Sequence, residues 1–390
     1  MMVLEFVIWG AWLPLIYSYL PALKFTPLQQ SAILNAFPVA TLVAIFFSNQ
    51  FADRNFAAEK FLAFSQLVGG AAILGLAFTH DFWTFFILML VHCLLYVPTL
   101  SIVNSIAFAN LKDSKEFGLI RMGGSIGWIL AAWPLAFIKM EVSDIRWTYV
   151  IAGVASFILA GFSLTLPHTP PKKAGEVQDK LAWVEAMRLL AQPFVLVLWI
   201  LTFADAFVIY AYFNWAGTFL GSPQVGIPTQ WIMPVMSIGQ VAEILTMAIL
   251  GMTLKKLGWR WTMIIGIMGH VIRFAVFAFF PQVTWLIIAV FLLHGICYAF
   301  FFATVYIFVD EYFPKDVRSS AQGLFNVMIL GLGAIAANTI CPRMTVYYTA
   351  HDLINFQALF VIAGGVALAA AIILALFFHP PVRGTAAERK

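Results

Sequence analysis

Charge is scarce in this chain. Asp, Glu, Lys and Arg together make up 10% of its 390 residues, 62% are apolar, and the mean hydropathy is +0.92. Soluble domains ordinarily hold about a quarter of their residues charged to cover the surface, so a soluble globular fold is excluded and the bilayer is the solvent. Cysteine is equally sparse: Cys93, Cys297 and Cys341 lack the spacing of a metal site or a disulfide framework and read as packing residues. P-loop, H-E-x-x-H and paired-cysteine patterns are missing, which leaves ATP-driven pumping and metalloenzyme chemistry without support; no cofactor or metal is expected. Gly123-Gly124-Ser125-Ile126-Gly127 has the form G-x-S-x-G, but a nucleophile elbow needs a strand-turn-helix in an α/β sheet. Here it lies inside an apolar run, where small residues let helices pack closely, and an enzyme is not expected.

What the chain has is long apolar runs. A spanning helix needs roughly 20 mainly apolar residues, and twelve segments qualify: 4–22, 32–50, 60–79, 83–107, 118–138, 147–167, 193–220, 229–253, 261–280, 284–309, 320–341 and 354–379. They are continuous and rich in Leu, Phe, Ala and Ile, unlike the alternating ten-residue strands of a membrane β-barrel. Segment 4–22 has no basic leader and reads as the first span rather than a secretory signal. The expected class is an all-α integral membrane protein.

The breaks between spans give an orientation. Alternate breaks and the C-terminal tail carry sixteen basic residues, and the other side carries four, Lys24, Lys139, Arg146 and Arg343. The positive-inside rule then places both termini in the cytoplasm. The net charge of +4 reflects this topology and gives no reason to expect nucleic acid as a partner. The longest break, with Pro170, Pro171, Lys172, Lys173, Gly175 and Lys180, divides six spans from six. The expected organisation is a bundle over 1–168, a cytoplasmic linker over 169–191, a second bundle over 192–380 and a tail over 381–390. Transporters are often built from such repeats, with the substrate site near the bilayer midplane where the halves meet.

Four charged residues, Arg121, Asp205, Glu243 and Arg273, interrupt the apolar runs. An ionisable side chain at the centre of a lipid-spanning helix costs about 2.5 to 3.5 kcal/mol on insertion scales, so it ordinarily faces a partner or a wet cavity. A secondary transporter is the leading class; a membrane enzyme and a non-transporting sensor or scaffold are the alternatives.

Asp53-Arg54 after the second span is similar to the loop signature of the major facilitator superfamily, although such a pair also suits a solvated turn. Five further stretches carry a closer resemblance: Phe6-Val7-Ile8-Trp9-Gly10-Ala11-Trp12; Tyr96-Val97-Pro98-Thr99-Leu100 leading to Asn104; Arg121-Met122-Gly123-Gly124-Ser125-Ile126-Gly127-Trp128; Met236-Ser237-Ile238-Gly239-Gln240-Val241-Ala242-Glu243; and Arg318-Ser319-Ser320-Ala321-Gln322-Gly323. In this order they resemble the bacterial nucleoside:proton symporter family of that superfamily. The resemblance implies a major facilitator fold with twelve transmembrane helices in two six-helix bundles, in the bacterial inner membrane. It further implies nucleoside import by proton symport with alternating access; an uncoupled nucleoside facilitator, or a transporter of another small polar metabolite such as a sugar, is the alternative.

The residues themselves suggest roles. Arg121, Ser125 and Trp128 are spaced i, i+4, i+7 and share one stripe of the fifth span, where a cation, a hydroxyl and a flat ring suit a sugar bearing an aromatic base. The competing reading has Arg121 snorkelling to the cytoplasmic interface and Trp128 packing. Gln240 and Glu243 share a face of the eighth span: an amide reads hydroxyls and base edges as donor and acceptor, and a carboxylate in a partly dry site can carry a proton. Glu243 paired with Arg273 to lock the fold is the alternative. Tyr210, Phe213 and Asn214 fall where the family places substrate contacts, with aromatics at two of those positions. His294 and Tyr298 are i, i+4 on the tenth span and suit the same cavity or plain packing; Asn104 is a substrate candidate on the fourth. The family places an aspartate at the position of Ala299, so proton coupling here falls to Glu243 or Asp205, or is lost. Asp53, Arg54 and Asp310 are gating candidates, with solvated turns as the alternative. The expected partners are a nucleoside, a proton and the lipid bilayer.

Overall fold

The computed structural model describes residues 1–45, 55–110, 117–137, 140–171, 187–314 and 317–380. Among these residues nine helices are long and apolar enough to cross a membrane. In lipid every backbone polar group must be paired within the chain, and a helix does so residue by residue. The longest, Thr229–Phe279, runs for 51 residues, about 76 Å at 1.5 Å per residue and more than twice the hydrocarbon core of about 30 Å. It is two spans joined at Gly258, whose φ of 70° and ψ of −179° break the helix in a conformation that favours glycine. Met122–Phe137 supplies a shorter apolar helix. Pro27–Leu34 and Ala36–Val43, separated at Asn35, are short helices just before and within the expected segment 32–50, part of which lies outside the described residues.

The helix starts follow local chemistry. Thr26 caps Pro27–Leu34 in a reciprocal box: its side chain accepts from the Gln29 amide, and the Gln29 side chain accepts from the Thr26 amide. Asp81 accepts from both the amide and the hydroxyl of Thr84 at 2.9 Å, tying down the start of Phe82–Asn110. Those two bonds hold its carboxyl below the usual carboxylate range.

Contacts divide the chain into two units, Met1–Val177 with Phe213–Ser237, and Gln178–Tyr212 with Ile238–Lys390. In the first, Ala58–Gly75 packs along Arg146–Ser163, and Met2–Ala22 along Phe117–Ala132. Glycines set both approaches: a Cβ on Gly70 would lie 2.6 Å from Ser156 Cβ, and one on Gly127 would collide with the Val3 carbonyl oxygen. The small-residue run at 123–127 thus serves close packing, as its composition suggested. In the second unit, Gly266 and Gly269 let the ninth span approach Phe301 and Cys297 of the tenth. Two π-helical segments, Tyr298–Ala303 and Val327–Leu332, interrupt the tenth and eleventh spans. A two-residue hairpin, Thr349–Ala350 against Leu353–Ile354, precedes the last helix, Phe356–Phe377. Large apolar side chains such as Phe64, Trp83, Phe137 and Trp285 point outward, as a lipid-facing surface requires.

Candidate functional site

The second unit encloses a line of charged and polar groups inside its spans. Asp205 comes from Pro193–Leu220, His270 and Arg273 from the ninth span, and His294 from the helical turn Leu293–Cys297. Asp205, His270 and Arg273 are fully buried, and His294 is 3% exposed. Arg273 Nη2 donates to His270 Nδ1 at 2.8 Å, and Nη1 donates to His294 Nδ1 at 3.3 Å. A guanidinium has only donors, so both Nδ1 atoms accept and each neutral ring keeps its hydrogen on Nε2. His270 Nε2 faces Asp205 Oδ2 at 3.7 Å, beyond a direct hydrogen bond. Neither that nitrogen nor either Asp205 oxygen has a hydrogen-bond partner among the described residues. On its other side the guanidinium lies over the Tyr212 ring, 3.9 Å from the centroid, a cation–π contact that strengthens away from water.

This cluster abuts the eighth span. A Cβ on Gly239 would meet His294 Cβ at 2.9 Å, and one on Gly295 would collide with the Ala242 carbonyl carbon and meet the Glu243 nitrogen at 2.5 Å. Two glycines therefore bring the backbones of the eighth and tenth spans together beside Gln240 and Glu243. Gln240 is nearly buried, yet its Oε1 has no hydrogen-bond partner among the described residues. Glu243, Tyr210 and Tyr298 are half-buried. Arg273 is thus hydrogen-bonded to two histidines, and the ion pairs found among the described residues do not include one between Arg273 and Glu243.

The first unit holds a carboxylate that the sequence reading passed over. Glu5, in the first turn of Met2–Ala22, is fully buried. Its Oε1 lies 2.6 Å from Thr99 Oγ1, its Oε2 accepts from Gln66 Nε2 at 2.9 Å, and its backbone carbonyl accepts from the Tyr96 hydroxyl at 2.6 Å. His92 stacks on Tyr96 and bonds the Gly69 carbonyl through Nδ1 at 3.0 Å. Trp128 packs its ring against Gly10 and stands edge-on to Trp9 at 5.4 Å, while Trp9 stacks on Phe37 at 4.9 Å. Ser125 and Asn104 are half-buried; Asn214 is buried and Phe213 half-buried. The side chain of Arg121 lies outside the described residues, as do Asp53 and Arg54. Asp310 is exposed and meets Arg318 Nη1 at 3.4 Å, a surface pair of the kind worth about 0 to 1 kcal/mol. An open groove of about 930 Å³ formed by Met140–Ser143 and Pro228–Gln230 contains none of the candidate residues.

One of these positions had a signal in the sequence and one did not. His270 precedes Arg273 by three residues and so shares its helix face. Glu5 precedes Ile8, Trp12 and Leu15, all buried, at helical spacing, but the helix is apolar all round and no face stands out.

Known proteins match the chain along nearly its whole length. Escherichia coli (strain K12) proteins include YegT, named as a nucleoside transporter, 30% identical over 86% of this chain and 80% of its own, and the nucleoside permease NupG, 27% identical over 97% and 95%. The solved structure of a mutant of NupG matches with a TM-score of 0.88 at 26% identity, covering 97% of this chain and 98% of that one. A D-xylose–proton symporter structure, 16% identical with a TM-score of 0.74 over 97% and 96%, shares the fold, which is that of the major facilitator transporters. The relatives are named as transporters and permeases, and the chain is a multi-pass bacterial membrane protein. A family model described as nucleoside H+ symporter covers residues 1–383; with buried charges set inside its spans, this chain belongs to the nucleoside H+ symporter family.

Proposed function

We propose that this protein imports nucleosides together with protons by alternating access. The observation that carries the reading is the family match across residues 1–383. Charges buried inside the spans support it, because a chain that served only as a scaffold has no use for them. The substrate contacts are Asn104, Arg121, Ser125 and Trp128 in the first half, and Tyr210, Phe213, Asn214, Gln240, Glu243, His294 and Tyr298 in the second. Aromatic faces hold the base, and the amide and hydroxyl groups read the sugar. The unpartnered oxygen of Gln240 is a ready acceptor for a ribose hydroxyl. An intramembrane carboxylate, Glu243 or Asp205, carries the proton, while Asp53, Arg54 and Asp310 act in gating. The halves are bundles over 1–168 and 192–380, with 169–191 between them. The protein sits in the inner membrane with both termini in the cytoplasm.

The ligands must bind the alternating states unequally for coupling to exist. The test is uptake of radiolabelled nucleosides into proteoliposomes under an inward proton gradient. Accumulation that disappears when an ionophore collapses the gradient supports symport; undiminished accumulation refutes it. Glu243→Gln and Arg121→Ala with wild-type kinetics would remove those residues from the site.

A further inference from the structure

We propose that Asp205 is the proton-binding residue of the second unit, oriented by His270, and that Arg273 and His294 transmit its charge state to the eighth span at Gly239–Glu243. The inference rests on the reading of the chain as a nucleoside:proton symporter and names the route by which its two ligands are coupled.

Hydrogen counting selects the residue. In the cluster, Arg273 has only hydrogens to give, and its two terminal nitrogens already give them to His270 Nδ1 and His294 Nδ1. Each imidazole therefore has its one free lone pair occupied and its remaining nitrogen protonated. A further proton on either ring would displace an arginine hydrogen bond and set a second cation beside the first. Within the cluster Asp205 alone offers vacant lone pairs: both oxygens are buried and unpartnered among the described residues, with His270 Nε2 facing one of them at 3.7 Å. The titratable and charged groups facing it are His270 and Arg273 from the ninth span and Cys297 from the tenth, while His294 and Tyr212 face Arg273 in turn. The step is simple in atoms. A proton from one side of the membrane bonds to a carboxylate oxygen of Asp205, giving a neutral acid; its departure to the other side restores the anion.

The consequence for the substrate is mechanical. Neutralising Asp205 removes an anion that, through His270, faces Arg273. The guanidinium then rebalances among its remaining partners, the two Nδ1 atoms and the Tyr212 face. His294, tied to that guanidinium, is seated on Gly239, where even one added carbon would lie 2.9 Å away, and Gly295 meets the backbone at Ala242 and Glu243. Helix contacts this tight have no slack to absorb a shift, so a displaced His294 moves the segment that carries Gln240 and Glu243. His270 is a positioning residue: it aims its N–H at Asp205 and carries no proton across.

The experiment uses the full chain in proteoliposomes with tritiated uridine and adenosine as probes. Gradient-driven accumulation is measured alongside counterflow without a gradient from pH 5 to 8. With one proton per nucleoside, a gradient of one pH unit supports at most about ten-fold accumulation. In Asp205→Asn the accumulation ratio is expected to fall to about 1 and the pH profile of counterflow to flatten. Asp205→Glu is expected to keep pH-dependent accumulation. Gly239→Ala, which presses on His294, is expected to shift the wild-type pH profile and to have no further effect on it once Asp205 is Asn. An Asp205→Asn protein that accumulates like the wild type overturns the inference and leaves symport standing. A wild type that exchanges nucleoside without ever accumulating it removes the symport reading, and the inference with it. Should Asp205→Asn fail to fold, a glutamate variant with an unshifted pH profile overturns the proposal, and a shifted one supports it.

Discussion

Replacing Glu5 by glutamine is expected to leave the protein almost as stable as before, and the reason lies in the hydrogens available around Thr99. Its hydroxyl has one hydrogen and three close neighbours: the Tyr96 carbonyl oxygen at 2.5 Å, Glu5 Oε1 at 2.6 Å and Gln66 Nε2 at 3.2 Å. The Tyr96 carbonyl can only accept and so claims the Thr99 hydrogen. The short contact to Glu5 then needs a hydrogen from the glutamate, which makes Glu5 a neutral carboxylic acid donating through Oε1 and accepting from Gln66 through Oε2. A glutamine side chain presents the same edge, one donor and one acceptor. Its N–H···O bond prefers about 2.9 Å, a relaxation of a few tenths of an ångström. The expected cost is under about 0.5 kcal/mol, whereas Glu5→Leu strands the Gln66 amide and costs about 1 to 3 kcal/mol. Thermal unfolding of the purified protein in detergent, at matched detergent and lipid content, separates the two. Glu5→Gln as damaging as Glu5→Leu would refute the hydrogen count, because an ionised Glu5 accepting two bonds has no counterpart in glutamine.

Gly127→Ala forces a methyl group against the Val3 carbonyl oxygen, and overpacking of this kind costs about 1 to 3 kcal/mol, measurable as a lower melting temperature. Gly295→Ala does the same against Ala242 and Glu243; it is expected to weaken nucleoside binding in a thermal-shift titration by more than it lowers the melting temperature of the unliganded protein. Thr26→Ala removes the cap of Pro27–Leu34 and should cost about 1 kcal/mol, seen as faster amide exchange at Gln29 and Gln30. The Asp81 carboxyl is held below its ordinary value by Thr84. Its stabilisation is therefore complete above the unfolded carboxyl value near about pH 4 and lost as the pH falls through the lower folded value. Exchange at Thr84 should accelerate there, and Asp81→Asn should abolish that acid response.

The spans were legible because lipid leaves the sequence few options: an unpaired backbone group is so costly there that any long apolar run must be a helix. The charged break at Lys255–Arg260 was expected to be a loop, yet the chain stays helical up to Gly258 and resumes at once. Lys and Leu are good helix formers, so leaving the membrane did not require leaving the helix, and one glycine at positive φ made the turn. Asp205 and Arg273 stood out as charges in apolar runs. His270 did not, because a neutral histidine raises no alarm in a hydropathy pattern and its partner is set by the packing of two spans. Glu5 was hidden by its place one residue inside the first segment, where an end-of-helix carboxylate facing water and one facing Thr99 look alike.

Among the described residues two carboxylates are fully buried, Glu5 and Asp205; they solve the same desolvation problem in different ways, and the difference decides which can serve transport. The hydrogen-bond partners of Glu5 are a hydroxyl and an amide, with a second hydroxyl on its own backbone carbonyl, neutral groups that bond a carboxylic acid well. Ionising it would place a bare charge in a low-dielectric interior, where the penalty is several kcal/mol, so Glu5 is suited to holding the first unit together and poorly suited to exchanging its proton. Asp205 stands in the field of Arg273, relayed by His270, with its own oxygens unbonded among the described residues. The anion has the guanidinium of Arg273 beyond His270, and the neutral acid carries a smaller desolvation cost than the anion would. A residue that is to load and unload a proton once per cycle needs that balance, since coupling depends on a small free-energy difference between its states. Removing the cation should destroy it: with Arg273→Gln, Asp205 is expected to hold its proton throughout, and gradient-driven accumulation should fail even though the carboxyl group is intact. Accumulation preserved in that variant would show that the balance is struck by some other group.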